Sequence, residues 1–201
     1  MGNKIICIGR EFGSGGHEIG LKLSEALGIH AYEKDILHLA ARYGELRVET
    51  LEAADEQAAN PMLFQTVHEG NRHVLRGLPT SEVLFDLQCH EIRRIAASES
   101  AIFIGRCADS VLRDTDAQLL RVFITAPFNF RVQRKMLLEN LSAGKAKHLV
   151  KLMDKQRRRY YEHYTHQRWG DPKNYDLVID SSVTPVDEAV ELLARRYKEM
   201  T

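Results

Sequence analysis

The sequence predicts an α/β fold in three layers, with a parallel β-sheet between two layers of helices. Two observations indicate this class: apolar runs of strand length recur along the chain, and stretches with helical periodicity separate them. Strands joined through a helix run parallel to one another in one sheet. The chain has 201 residues, of which 44% are hydrophobic and 28% charged, as expected for one globular domain.

The N-terminal residues predict a strand, a glycine-rich loop and a helix. Residues 4–8 form an apolar run that suits a strand buried on both faces, and Gly9 ends it. Four glycines then occur within residues 9–16. Residues 17–27 carry apolar side chains at helical spacing, and Gly28 is a typical helix end. These elements form the first half of a β-α-β unit.

Residues 34–100 are predicted to form a mostly helical insertion. Apolar residues recur at helical spacing just after residue 36, then over residues 51–59 and 61–74, and finally over residues 80–97. A Gly-Leu-Pro-Thr stretch before the last of these helices is a clear break in the pattern.

The C-terminal half predicts three further strands that alternate with helices, in agreement with a parallel sheet. Helices are expected over residues 128–141, over a strongly basic stretch at residues 145–166, and after Ser181 or Thr184. The predicted strands are residues 101–104, 119–124 and 176–180. We therefore expect a core of residues 1–33, 101–144 and 171–201, interrupted by the insertion at residues 34–100 and by a lid at residues 145–170.

The charge pattern favours a small anionic ligand. Lys and Arg number 28, as do Asp and Glu, so the formal net charge is zero and we do not expect the protein to bind nucleic acid. Residues 131–168, however, hold 11 Lys and Arg against three acids, whereas residues 31–60 hold seven acids and three bases. A neutral chain that concentrates its cations in one segment is suited to meeting an anion there.

Membrane insertion and a zinc site are not expected. No apolar run approaches the roughly 18 residues that a membrane-spanning helix needs. Cys7, Cys89 and Cys107 are scattered and form no Cys-x-x-Cys pair, which argues against a zinc site or a disulfide framework. This cysteine usage is typical of a reducing compartment, and we expect the protein in the cytoplasm.

The glycine-rich loop predicts a binding site for phosphate. Glycines allow successive backbone N–H groups to point inward, and the following helix adds the positive end of its dipole. We expect this contact from Gly13, Ser14, Gly15, Gly16 and His17.

The loop departs from the Walker A pattern at two positions. That pattern places a lysine against the β- and γ-phosphates and a hydroxyl on Mg²⁺. Here Gly16 stands at the lysine position and His17 at the hydroxyl position. Arg10, or the arginines at residues 157–159, are candidate replacements for the missing cation. Glu11 would repel a nucleotide unless it holds Mg²⁺ or pairs with Arg10 or another cation.

Taken together, these motifs resemble the cytidylate kinase-like branch of the P-loop nucleoside monophosphate kinases. The resemblance covers nearly the whole chain, and the motifs occur in the order of a kinase core. They are residues 9–16, 32–35, 105–109 and 122–127, then Arg131 and Arg134, residues 157–159, and residues 174–181.

The resemblance implies a P-loop NTPase fold with a monophosphate-binding insertion and an arginine-rich lid. It also implies roles for individual residues, which we state as expectations. The loop residues from Gly13 to His17 would hold the donor triphosphate. The catalytic group would comprise Arg10, Arg106, Arg157 and Arg158, and the substrate-binding group Asp35, Arg106, Asp109, Arg131 and Arg159. Ile104 stands where cytidylate kinases carry an acid.

The implied reaction is phosphoryl transfer from ATP with Mg²⁺ to a nucleoside monophosphate, with CMP or dCMP expected first. Two alternatives remain open. In the first, a protein of the same fold phosphorylates another small metabolite. In the second, the protein is a nucleotide-binding regulator without turnover, because Gly16 replaces the lysine. Apolar helical faces within residues 35–100 are also compatible with a homodimer.

Overall fold

The computed structural model describes residues 2–47, 70–71, 74 and 77–200. Five parallel strands form one sheet in the order β2-β3-β1-β4-β5. Residues 5–8 of the central strand β1 and all of β3 are apolar and buried, because helices cover both faces of the sheet there. The strands are β1 (Lys4–Arg10), β2 (His30–Tyr32), β3 (Ala101–Ile104), β4 (Gln118–Thr125) and β5 (Leu177–Asp180).

Helices cover both faces of this sheet, so the three-layer α/β fold expected from the sequence is confirmed. On one face α1 and α7 pack Leu23 and Leu193 against Ile6 of β1. On the other face α3 packs Ile92 against Ile5. The helices are α1 (Gly16–Leu27), α2 (Asp35–Gly44), α3 (Thr80–Ser98), α4 (Ala108–Val111), α5 (Phe128–Glu139), α6 (Ala143–Thr165) and α7 (Val186–Glu199), with a 3₁₀ turn at Pro172–Asn174.

Two of the differences between predicted and observed element boundaries have local reasons. Strand β1 continues past Gly9 to Arg10, which pairs in register with Ile124 of β4. Helix α7 begins at Val186 rather than after Ser181 or Thr184. Asp180 accounts for the delay, because its carbonyl accepts from the amide of Thr184 at 2.9 Å and holds a turn before the helix.

Only part of the predicted insertion falls within the described residues. Helices α2 and α3 lie there and pack through Leu37 and Ala40 on α2 against Leu84 and Leu87 on α3. The helix predicted at residues 51–59 lies outside the described residues, as does most of the one predicted at residues 61–74. The division of the chain at residues 34–100 and 145–170 stays a prediction.

Across residues 2–47, 70–71, 74 and 77–200, every helix is too short or too polar to cross a membrane.

Parallel pairing brings several chain segments to one edge of the sheet. Ile8 of β1 pairs with Ile104 of β3, and Tyr32 of β2 pairs with Phe103 of β3. The residues that follow these strands, Arg10, Glu33 and Gly105, therefore meet at the carboxyl edge. In open α/β sheets ligands bind outside the carboxyl ends of the strands.

Candidate active site

The loop between β1 and α1 leaves a row of backbone amides without protein acceptors. Gly13 and Gly15 have φ angles of +84° and +88°, in the left-handed region that glycine adopts without strain. The helix α1 begins after Gly15 with no side-chain cap. Among the residues that the structure describes, no acceptor faces the amides of Gly13, Gly15, Gly16, His17 and Glu18. Such a concavity of N–H groups at a helix N-terminus binds anions.

Ser14 shapes this loop from within. Its buried hydroxyl lies 2.9 Å from the carbonyl oxygen of Glu11 and 3.0 Å from that of Ile124, and its amide donates to Glu11 at 3.3 Å. The hydroxyl and the amide thus both have protein partners, so the geometry does not support the predicted contact between Ser14 and a donor.

A buried ion-pair network anchors the back of the loop. The Glu11 carboxylate accepts from the Thr125 hydroxyl at 2.6 Å and from Arg131 Nη2 at 3.3 Å. Arg131 Nη1 also donates to Asp154 at 2.6 Å and to the carbonyl oxygen of Phe12 at 3.0 Å. Glu11 therefore has the cationic partner that the sequence required, and this partner is Arg131 rather than Arg10.

This network corrects the expectation for Arg131. The residue was predicted to bind substrate, but it is 5% exposed, and its Nε donates to the carbonyl oxygen of Ala126 at 2.9 Å. All three guanidinium nitrogens thus have protein acceptors. Arg131 holds the loop in place and does not face a ligand.

A cavity of about 450 Å³ opens beside the loop at the carboxyl edge of the sheet. Its size is typical of a small-molecule site. Helix α6 lies over it and packs on α3 through the stacked rings of Tyr164 and Phe85, whose centroids are 3.9 Å apart. Three arginines line the cavity, namely Arg10, Arg106 and Arg157.

Glu33 holds the first of these arginines. One carboxylate oxygen of Glu33 lies 2.5 Å from Arg10 Nη2, and the other lies 2.5 Å from Nδ1 of His17 in the loop. The Nε of Arg10 is buried and has no partner among the described residues. Burial would raise the pKa of Glu33, but Arg10 and His17 outweigh it and hold that pKa below its ordinary value.

The other two arginines reach the cavity from different elements. Arg106 follows β3 with a φ of +60°, and its Nε lies 3.3 Å from the carbonyl oxygen of Glu33. Arg157 comes from α6, and its Nη1 donates to the carbonyl oxygen of Arg10 at 3.1 Å. Three chain segments therefore bring cationic side chains to one cavity.

The positive charge of this cavity is incompletely compensated. Burial, and after it the charge of the nearby Arg10, lowers the pKa of Arg157 to about 9. Burial also lowers the pKa of Arg10, an effect that Glu33 opposes and Arg106 reinforces. A lowered pKa means that the surroundings disfavour the charged form of each arginine. Because a guanidinium nevertheless remains protonated in proteins, an anion that entered the cavity would stabilise both cations.

The opposite wall is aromatic and carries one carboxyl group. Asp109 accepts from the hydroxyl of Tyr161 at 2.7 Å, and Tyr160, Trp169 and Tyr175 lie around them. Burial raises the pKa of Asp109 above its ordinary value. This wall offers stacking surface and polar groups to the uncharged part of a ligand.

Several predicted residues lie outside the cavity. Asp35 is exposed at the start of α2, where its carboxylate lies 3.4 Å from His30 Nε2. Arg159 is exposed on α6. Arg158 lies against the ring of Trp169, beside a separate hollow of about 260 Å³. The structure therefore brings together Arg10, Arg106, Asp109 and Arg157, but not Asp35, Arg158 and Arg159, whose roles stay predictions.

Glu33 is the main residue that the sequence reasoning did not assign. It belongs to a recognised motif, but Asp35 was chosen as the acid of that motif. The signal was its position: β2 ends at Tyr32, so Glu33 is the first residue beyond the strand and stands at the carboxyl edge.

The strand order, the glycine loop after β1 and the arginine cavity define the P-loop kinase fold. The chain belongs to the cytidylate kinase-like family, whose model matches residues 5–183. The resemblance stated from the motifs is thereby confirmed. Family and fold together support a nucleotide-binding phosphotransferase.

Solved structures agree with this fold. A crystal structure of an uncharacterized protein from Eubacterium ventriosum ATCC 27560 is similar at 28% identity, covering 98% of this chain and 99% of that one, with a TM-score of 0.71. Shikimate kinase from Bacteroides thetaiotaomicron is similar at 10% identity, covering 97% and 98%, with a TM-score of 0.54. A gluconokinase from Sinorhizobium meliloti 1021 is similar at 16% identity, covering 98% and 94%, with a TM-score of 0.53. No curated protein matches the chain.

Proposed function

We propose that this protein transfers the terminal phosphoryl group of ATP to the phosphate of a nucleoside monophosphate, with CMP or dCMP as the first candidates. The observation that carries the proposal is the cavity in which Arg10, Arg106 and Arg157 converge beside the loop of free amides. Phosphoryl transfer between two phosphates requires such a concentration of fixed positive charge.

The loop supplies the donor side. The unpartnered amides of Gly13, Gly15, Gly16, His17 and Glu18 form a concavity at the N-terminus of α1. Phosphate oxygens match it, because they accept several hydrogen bonds at once and are attracted by the helix dipole. The terminal phosphate of a bound triphosphate would then face the cavity.

The cavity supplies the acceptor side. Arg106 and Arg157 are planar, permanently charged donors that suit the oxygens of a monophosphate. The aromatic wall of Tyr160 and Trp169 suits a nucleobase, and the carboxyl group of Asp109 gives it a hydrogen-bond acceptor. Helix α6 covers the cavity and keeps water from the reacting phosphates.

Magnesium would be held chiefly by the nucleotide. Within the part of the chain that the structure describes, no three His, Cys, Asp or Glu side chains group together as metal ligands. Mg²⁺ retains several waters and is commonly bound through substrate phosphates with one or two protein groups. It therefore does not require a cluster of three protein ligands. When bound, the ion would neutralise charge on the transferring phosphates.

The decisive experiment measures ADP formation by the full chain with ATP, Mg²⁺ and a panel of nucleoside monophosphates. We expect turnover with CMP or dCMP to exceed that with the other acceptors. In Arg106→Ala, we expect the KM for the acceptor to rise by about 30-fold or more, because a buried charge contact is lost. Arg196→Ala is the matched control, since Arg196 is exposed on α7 and, among the described residues, forms an ion pair with Glu199 alone, at 3.6 Å.

Other outcomes separate the alternatives. Turnover with a phosphorylatable metabolite but with no monophosphate would assign the same fold to a different acceptor. ATP binding without turnover on any acceptor would favour the regulator, which the absence of a lysine at position 16 supports. An unchanged acceptor KM in Arg106→Ala would contradict the proposed acceptor site.

A further inference from the structure

We propose that Arg10 supplies the cation that a lysine supplies in the Walker A loop, and that Glu33 is the positioning residue that aims it. This inference rests on the proposed phosphotransferase function. It assigns to Arg10, at the end of β1, the positive charge that the loop lacks because glycine occupies position 16.

The Arg10 side chain occupies the space where a side chain at position 16 would begin. A Cβ atom added to Gly16 would lie 2.6 Å from the Cβ of Arg10 and 3.1 Å from its Cγ. These atoms belong to the root of the arginine side chain and cannot swing aside. The glycine at the lysine position therefore makes room for Arg10.

A second glycine makes room for the guanidinium group. Gly105 follows β3 with a φ of +81°, and an added Cβ would lie 1.9 Å from Arg10 Nη1. The side chain thus runs from the end of β1, over Gly105 at the end of β3, to Glu33 at the end of β2. This path follows the strand order β2-β3-β1 along the carboxyl edge.

Protein contacts fix one side of Arg10 and leave the other side free. Glu33 holds Nη2 at 2.5 Å, and Arg157 donates to the Arg10 carbonyl oxygen at 3.1 Å. Neither Nε nor Nη1 has an acceptor within the described ranges, although the Nε is buried. A buried donor without a partner is costly, and a phosphate oxygen would satisfy it.

Glu33 also connects Arg10 to the donor loop. Its second carboxylate oxygen contacts His17 Nδ1 at 2.5 Å, and His17 contributes one of the free amides. A change in the loop when the donor binds is thereby transmitted to the orientation of Arg10. Charge develops on the transferring phosphoryl group, where a fixed cation is most effective.

The spatial claim is tested without any ligand. Gly16→Ala is made in the wild-type protein and in Arg10→Gly, which alone removes the Cβ of residue 10, and the free energy of unfolding is measured with urea. We expect Gly16→Ala to destabilise the wild type by at least threefold in the unfolding constant and to leave Arg10→Gly unchanged or more stable, because alanine suits a helix better than glycine. Gly144→Ala on α6 is the control, since an added Cβ there meets nothing within 4 Å. Equal destabilisation by Gly16→Ala in both backgrounds would overturn the proposal.

The functional claim is tested by moving the cation. We expect Arg10→Ala to lower kcat by about 100-fold or more, and Gly16→Lys to do the same in the wild type because it displaces Arg10. The double variant Arg10→Gly/Gly16→Lys should recover at least about tenfold over Arg10→Gly, since removing the Cβ of residue 10 gives the lysine room at its usual position. A kcat of Arg10→Ala within about threefold of wild type, or no recovery in the double variant, would overturn the proposal.

Glu33→Gln tests the positioning role. It keeps the shape of the side chain but removes the charge that holds Arg10, so we expect kcat to fall by about tenfold while the KM for ATP changes by less than about twofold. A merely structural role would change both, or neither. If the wild type turns over no acceptor, the proposed function fails, whereas the urea experiment on Gly16 still decides the arrangement of Arg10.

Discussion

Two sets of buried arginines lie on either side of the same loop, and they differ in how fully the protein satisfies them. Behind the loop, Arg131 donates to Ala126, Phe12, Asp154 and Glu11. In front of it, Arg10 and Arg157 are packed into the cavity with Glu33 as the carboxylate bound to Arg10.

This difference separates scaffold from site. A buried cation with a complete set of acceptors stabilises the fold and has nothing left to offer a ligand. A buried cation with missing acceptors destabilises the free protein and gains from any anion that enters. Burial or charge alone does not distinguish the two cases, whereas the hydrogen-bond partners of each nitrogen do.

The largest expected effect is on the satisfied side. In Arg131→Ala, the partly buried carboxylates of Glu11 and Asp154 lose their shared cationic partner, so we expect the free energy of unfolding to fall by about 3–5 kcal/mol. Urea denaturation of the purified protein measures it, with Arg196→Ala as the exposed control. A loss below about 1 kcal/mol would mean that Arg131 is not the anchor of the loop and would remove the contrast with the cavity.

The cavity side should respond in the opposite way. Arg157→Met keeps much of the side-chain volume but removes a cation whose burial is poorly compensated, so we expect the ligand-free protein to be as stable as the wild type or more stable. Turnover should fall by about 100-fold, because a charge near the transferring phosphoryl group is lost. Lys147→Met, an exposed cation on the same helix, controls for charge. A large loss of stability in Arg157→Met would show that Arg157, like Arg131, stabilises the fold.

The sequence predicts the local parts of this arrangement well. The apolar run before residue 9, the clustered glycines and the helical pattern after them are short-range signals, and the structure forms a strand, a loop and a helix there. The motif order also identified the family. The sequence also indicates that Gly16 replaces the lysine and that Arg10 is a candidate substitute, because the two residues flank the same short loop.

The pairing of side chains across strands was not predictable in the same way. Arg10 meets Glu33 because β3 lies between β1 and β2, a fact of strand order and not of spacing. Asp35 and Glu33 are equivalent on sequence alone. Only the end of β2 at Tyr32 decides that Glu33 stays at the edge while Asp35 begins a helix. The role of Arg131 likewise depends on Asp154, which comes from the following helix, α6, and meets it only when the two helices pack.

Tyr161 offers a smaller test on the far wall of the cavity. Its hydroxyl donates to the buried Asp109 at 2.7 Å, and Tyr161→Phe leaves that carboxyl group without this donor. We expect a loss of about 1–3 kcal/mol in the free energy of unfolding, together with weaker acceptor binding. Tyr197→Phe is the control, because no hydrogen bond of the Tyr197 hydroxyl occurs in the described part of the chain. Equal stability of Tyr161→Phe and wild type would show that Asp109 is not held by this contact.

The smallest expected effect compares the two carboxyl groups of the cavity by pH. The pKa of Glu33 is lowered because Arg10 and His17 outweigh burial, so Glu33 stabilises the fold above its unfolded pKa of about 4.3, and this contribution is lost as pH falls through the folded value. The pKa of Asp109 is raised by burial, so its charged form costs stability above the folded pKa, and the cost vanishes as pH falls to the unfolded value of about 3.9.

The two substitutions should therefore produce opposite pH slopes. As the solution is acidified from neutral pH, the stability advantage of wild type over Glu33→Gln should shrink. Over the same range, the stability of wild type relative to Asp109→Asn should grow. Each change should be on the order of 1 kcal/mol, measured by urea denaturation at several pH values. Hydrogen bonds lost in each variant add a constant offset, so the slopes carry the information. If the wild-type stability relative to each variant changed with pH in the same direction, burial would outweigh the charges of Arg10 and His17 at Glu33. The distinction between the charged and the aromatic wall would then fail.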